Sequence, residues 1–308
     1  MTVRRQICRS VATIALGCLA FAGGVRAEDT PLAPAPIMID GAPPPRKIDE
    51  VKAVLGQALS TSPDATVKPL RIVLCASEKD PAHNKPGYHD YPLWRTRWTK
   101  LLGQAKGIQV EEATDWPTSE QWKAADVIAV NSWNPAWFLE RDAAKITALG
   151  EQIDAFLARG GGLVFIHYAL NAGPNAPQLA SRLGLAWTDG SKPRGGAKDW
   201  VLNQEHPLAA GFTTWENPDE SYWNMKGDLK AAHGKILATS LEENAPQPQM
   251  WTREVGKGRV FVCVPGHFTW TYDDPLYRIL VFRGMMWTAK EPIDRLAPIV
   301  LVGARVAP

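Results

Sequence analysis

The chain is poor in cysteine, nearly free of net charge and without a nucleotide-binding signature. Four cysteines occur in 308 residues, at positions 8, 18, 75 and 263. None forms a Cys-x-x-Cys pair or stands at zinc-finger spacing from a histidine, which excludes a small domain held by structural zinc. Thirty-four basic residues face 32 acidic ones, for a formal charge of +2. No basic stripe is present, so no nucleic-acid partner is expected. No Walker loop and no G-x-G-x-x-G follows a strand-like run, so no nucleotide cofactor is expected. There are no internal repeats, and no apolar run is long enough to span a bilayer. One residue type is abundant instead. Thirteen tryptophans supply large packing surfaces, or exposed faces on which a sugar can stack.

The first 27 residues read as a targeting segment. Arg4 and Arg5 precede the apolar run "VATIALGCLAFA", and a small-residue site ends at Ala27. Cleavage after Ala27 is expected, giving a periplasmic or secreted chain with no membrane span. Two other export readings stay open. "RRQIC" partly matches a twin-arginine signal, and "ALGC" partly matches a lipoprotein site. Cys8 and Cys18 leave with this segment. Cys75 and Cys263 lie inside apolar strand-like runs, where buried free thiols are expected rather than a bridge.

Residues 28–69 are rich in Pro and Ala and read as an exposed arm carrying one short helix, "IDEVKAVLGQAL". Beyond it, apolar runs alternate with amphipathic ones. "LRIVLCA", "GIQVEEA", "ADVIAVNS" and "GLVFIH" read as buried strands of a parallel sheet. Between them, "PLWRTRWTKLLGQA" begins at Pro92. In "RDAAKITALGEQIDAFLARGG", Ile146, Leu149, Ile153, Phe156 and Leu157 share one face and Gly160 closes the helix. After residue 190 short strands follow one another, which predicts an antiparallel extension. Asp274 and Pro275 then open a last helix with a stripe of Leu276, Ile279, Leu280 and Trp287. The tail from residue 291 reads as an arm or an added strand. The fold class expected is an open α/β sheet, mostly parallel, with helices on both faces.

In such sheets, sites form beyond the carboxyl ends of the strands. After the first strand comes a long loop carrying His83, His89, Asp90 and Tyr91. After the third come Asn131, Trp133 and Trp137. The fourth runs directly into His167, and "RVFVCV" runs into "PGHFTWTYDD" with His267, Trp270 and Asp273. Four of the six histidines thus gather at one predicted edge. "PDESYWNM" adds Asp219 and Glu220 beside Tyr222 and Trp223. A carboxylate in aromatic surroundings can carry a raised pKa and act as acid or base. His206 and His233 read as a turn residue and a surface residue.

The stretches "HNKPGYHDYP", "GGGLVFIHYAL", "EHPLAAGF", "DESYWNM" and "MWTREVGKGRVFVCVPGHFTW", in this order, resemble the ThuA-like (trehalose-utilisation) family. The resemblance covers residues 70–290. It implies a flavodoxin-like fold similar to class I glutamine amidotransferases, and a link to disaccharide and keto-sugar metabolism. His167 occupies the strand-end position where amidotransferases hold a cysteine, so glutamine hydrolysis is not expected. Cys263 cannot substitute, since it lies within a strand. Carried over residue by residue, His89, His167, Glu220 and His267 match positions lining the family's site, and His83 matches one variant of it. The arm departs from the shortest members and leaves homo-oligomer contacts open.

Two classes of function follow. The first is an exported lyase, isomerase or hydrolase acting on a small carbohydrate or keto-sugar. His167, Glu220 and His267 would be catalytic. His89, His167, His267 and His83 could hold a divalent Zn, Mn, Fe or Ni ion, or serve without metal as acid and base. Tyr91, Asn131, Trp133, Trp223 and Trp270 would face the substrate. The second is a carbohydrate-binding or scaffold protein on a degenerate amidotransferase fold. A serine hydrolase is disfavoured, because "FIHYA" stands where a G-x-S-x-G elbow would.

Overall fold

A computed structural model describes residues 32–60, 67–83 and 85–307. The expected targeting segment and its cleavage point lie outside the described residues. Residues from Leu32 onward belong to one structural unit.

Its centre is an eight-stranded sheet. The first four strands, β1 (Leu70–Ala76), β2 (Ile108–Thr114), β3 (Val127–Asn131) and β4 (Gly162–Ile166), are parallel. Further on come β5 (Lys192–Ala197), β6 (Val201–Leu202), β7 (Asp219–Trp223), β8 (Lys235–Glu242), β9 (Ala245–Val255) and β10 (Gly258–Cys263). The sheet order is β2-β1-β3-β4-β10-β9-β8-β6. The β10 strand joins β4 in parallel, whereas β9, β8 and β6 continue antiparallel. The parallel part therefore has the 2-1-3-4-5 order of flavodoxin-like folds. The β5 and β7 strands stand apart as an antiparallel ribbon.

Strand sequence explains the layering. Successive side chains of β1 alternate faces. Ile72, Leu74 and Ala76 enter one core with Trp94 and Trp98, and Val73 and Cys75 enter the other with Ile153 and Phe156. Both faces are covered, so nearly every position of β1 is apolar. Cys75 and Cys263 are both buried and free.

Helices begin and end where their caps stand. A short helix, α1, spans Ile48–Leu55. In α2 (Tyr91–Leu102), Asp90 accepts the Leu93 amide and Pro92 sits in the first turn. In α3 (Ala143–Ala158), Asp142 accepts the Ala144 amide at 2.8 Å, and Gly160 ends the helix with φ +100°. α4 spans Ala176–Leu183. α5 (Pro275–Thr288) opens on Asp274, which accepts the Tyr277 amide at 2.9 Å. No helix among the described residues is long and apolar enough to cross a membrane.

Two expectations change. The last helix is buried on nearly all sides rather than along a stripe, and even Arg278 and Arg283 are enclosed. Arg278 is satisfied by Asp273 at 2.6 Å and by the carbonyls of Tyr272, Val300 and Val302; Arg283 pairs with Asp294 at 2.6 Å. Buried guanidinium groups persist only when paired in this way. The expected exposed arm supplies part of the cover. Val51 and Leu55 of α1 join the core that holds α5. Ala35 donates its amide to Asp273, Arg46 bonds Asp274, and Arg46–Lys47 pairs in parallel with Val306–Ala307 of the tail. Enough apolar residues lie between the prolines to anchor the segment, which composition alone conceals.

Candidate functional site

Three strand ends and the detached ribbon bring the site together. His89 lies in the loop after β1, His167 follows β4 directly, His267 follows β10, and Glu220 is the second residue of β7. The loops after β1 and β10 are joined by backbone: the His89 amide donates to the His267 carbonyl at 3.0 Å, and the Thr269 amide to that of Gly87 at 3.0 Å. His89 (φ +42°) and His167 (φ +54°) both adopt left-handed backbone. That conformation is costly for a residue with a β-carbon and recurs where a side chain must be aimed.

The ligand atoms converge. His89 Nε2 lies 2.8 Å from His167 Nε2 and 2.8 Å from His267 Nδ1; the last two are 3.3 Å apart. Glu220 Oε2 lies 3.5 Å from His267 Nδ1 and 3.8 Å from His167 Nε2. All four atoms fall within 4.8 Å of one another, and the three histidines are buried. Such spacings suit donors sharing one cation about 2.0–2.2 Å from each.

Outer partners orient the rings. His89 Nδ1 faces Asp80 Oδ2 at 3.2 Å, and His167 Nδ1 faces the Val264 carbonyl at 2.8 Å. Each leaves Nε2 toward the centre, the arrangement by which metal-ligating imidazoles are held. The His89 ring lies near-parallel between Tyr91 and Tyr168, with centroids 5.4 Å away on both sides. Tyr222 stacks on His167, and its hydroxyl hydrogen-bonds Glu220.

Burial, and then the neighbouring Asp219, push the Glu220 pKa up to about 8; the Tyr222 hydrogen bond opposes the rise. Burial pushes the Asp219 pKa up as well, against four hydrogen bonds that favour its carboxylate. Burial also drives the Cys263 thiol well above its ordinary value.

Other expected residues fall differently. The side chain of His83 lies outside what the structure describes. Tyr91 and Asn131, expected to face a substrate, are both fully buried. Trp270 is also buried, stacked on Phe268 at 4.3 Å with its indole N–H donating to the Pro218 carbonyl. Trp133 is half-buried and packs on Phe138. Trp223 is half-buried, and strand alternation turns it away from the face of Glu220 and Tyr222. The aromatic groups beside the histidines are instead Tyr88 and Phe268 against His267, and Tyr168 with Trp187 toward His89 and Tyr222. All four are half-buried. Tyr168 was legible as the neighbour of His167; Trp187 carried no local signal. His206 caps a turn and bonds Thr252, and His233 is exposed.

Residues 83–288 match the protein family described as ThuA, trehalose utilisation. The chain belongs to the ThuA family. Two solved structures share the ThuA fold. A putative ThuA-like protein from Parabacteroides merdae is 17% identical with a TM-score of 0.53, over 72% of this chain and 90% of its own. Another, from Bacteroides uniformis, is 15% identical with a TM-score of 0.52, over 76% of this chain and 98% of its own. No curated protein matches the chain.

Proposed function

We propose that this ThuA-family chain is an exported enzyme that binds a divalent cation and acts on a small carbohydrate or keto-sugar derivative. His89, His167, His267 and Glu220 would hold the ion. One observation carries the reading. His89 and His167 each use Nδ1 toward an outer acceptor, yet their Nε2 atoms stand 2.8 Å apart. When both rings are neutral, two lone pairs face each other inside a buried site. That contact is repulsive unless a positive charge lies between them. Imidazole with carboxylate suits Zn, Mn, Fe or Ni.

Such an ion, when bound, would act as a Lewis acid toward a keto group. The chain's own residues would do the rest. Glu220 holds a proton near neutral pH in the cation-free site; with Oε2 toward the ion, its other carboxyl oxygen would deliver or remove one. Tyr222, bonded to Glu220, would keep that carboxyl in place. Tyr88 and Phe268 on one side, with Tyr168 and Trp187 on the other, offer apolar faces for a pyranose ring. The 2.8 Å contact also suits a shared proton, which would make the histidines a metal-free acid–base pair.

Elemental analysis of the purified protein, joined to a screen against disaccharides and their 3-keto forms with and without chelator, separates the readings. About one ion per chain and chelator-sensitive turnover are expected. No retained metal, with turnover indifferent to chelator, leaves the acid–base pair. Sugar binding without turnover in any form leaves a binding protein.

A further inference from the structure

The acidic residue beside Glu220 is fully buried and has no place in the chemistry above. Asp219 opens β7, and β7 belongs to the ribbon rather than to the central sheet. No strand pairing therefore fixes Glu220 relative to His267, which leaves the central sheet at the end of β10. Asp219 spans the gap. Its Oδ1 accepts the Glu220 amide at 2.7 Å and the amides of Gly266 and His267 at 2.9 Å each. Its Oδ2 accepts the hydroxyl of Thr271 at 2.5 Å. Thr271 Oγ1 also accepts from Asn217 Nδ2 at 3.2 Å, which leaves its own proton for Asp219. Asp219 thus meets only donors, the environment of a carboxylate. One oxygen grips the backbone of two proposed ligands that come from different elements.

We infer that Asp219 is the positioning residue of the cluster: it sets the spacing between Glu220 Oε2 and His267 Nδ1 and adds a negative charge behind a bound cation. The inference rests on the cation reading given above. A second tether steadies the same strand from the other side, since Gln249 bonds both the amide and the carbonyl of Tyr222. Asp219 bonds the backbone of both ligands.

The test uses the full mature chain and its Asp219→Asn and Thr271→Val variants. Zn²⁺ and Mn²⁺ binding are measured by titration, thermal unfolding is followed on the same samples, and histidine ring signals are recorded by NMR. Asp219→Asn keeps the shape and one acceptor but removes the charge. It is expected to fold with a lowered Tm, because its amide N–H₂ replaces an oxygen that met only donors, and to lose about 10–100-fold in cation affinity, as outer-partner changes at metal sites do. Thr271→Val is expected to lose affinity in the same direction and to a smaller extent. Wild-type affinity in a folded Asp219→Asn variant overturns the inference. If Asp219→Asn does not fold, wild-type affinity in Thr271→Val overturns it. If the parent itself binds neither metal, the reading is lost for Zn and Mn, and NMR then decides the positioning role. His267 ring signals that move in the variants, while those of His206 stay, support it; unmoved His267 signals overturn it.

Discussion

Gly266 lies so close to His167 that a side chain on it would press against the histidine's β-carbon. A β-carbon built on Gly266 would stand 3.0 Å from the β-carbon of His167 and 3.0 Å from Ile166 Cγ2, at a φ of +150°. The two strand exits can be adjacent only because this position is bare. Gly266→Ala is therefore expected to destabilise the fold by about 1–3 kcal/mol and to displace His167 and His267 together. Urea unfolding checks the first effect, and cation titration the second. An unchanged titration midpoint and affinity would mean that the close approach carries no constraint.

Removing one ring should empty the centre. His167→Ala is expected to abolish retained metal, because His89 and His267 are then left with only the weaker, longer-range carboxylate. His206→Ala is the control, since His206 caps a turn away from the cluster. Elemental analysis of the two purified variants should give no metal for the first and parental metal for the second.

Glu220→Gln tests proton transfer apart from binding. Gln keeps the shape and one acceptor but cannot carry the proton. With three imidazoles intact, cation binding is expected to persist but to weaken at least as much as in Asp219→Asn, while turnover of any substrate found, at saturating cation, falls by about 10²–10⁴-fold. A variant with parental kcat would remove Glu220 from the chemistry.

His206 predicts how stability follows pH. Burial, and then Lys235, push its pKa down from 6.5 to about 4. The folded state prefers the neutral ring, so its contribution is complete above about pH 6.5 and is lost as pH falls toward 4. That loss is expected to be about 1–3 kcal/mol. Urea midpoints at pH 7 and pH 4.5 should fall more steeply with acid in the parent than in His206→Gln. Parallel slopes would contradict the assignment.

The segment before β1 behaves as core. Val51 is fully buried in the cluster that encloses α5. Val51→Ala is expected to lower stability by about 1–3 kcal/mol, which thermal unfolding would register as a drop of a few degrees. A surface arm would show no change.

Much of this was legible before the fold was known. Continuous apolar runs such as "LRIVLCA" announce strands buried on two faces, and Asp142, Gly160 and Asp274 mark helix ends through local hydrogen bonding. The gathering of His89, His167 and His267 followed from strand ends alone, because a parallel sheet delivers all its carboxyl ends to one edge. The less legible features depend on contacts distant in sequence. Val264 reaches the His167 ring from 97 residues away. Trp187 approaches Tyr222 only after the ribbon folds back. Tyr91 and Asn131 sit at helix and strand ends as the clustered histidines do, but are fully buried. The α5 helix read as carrying one apolar stripe, because the partners that let Arg278 and Arg283 be buried, such as Val300 and Asp294, lie in other segments of the chain.

The pairing of Arg46–Lys47 with Val306–Ala307 has a consequence for how the chain is made. Residues emerging early from the ribosome wait for a strand some 260 positions downstream, so α5 cannot be sheathed while synthesis continues. Its apolar surface stays open until residues 296–307 arrive. Folding of this unit is thereby post-translational in its last step and governed by long-range closure, which makes it slow.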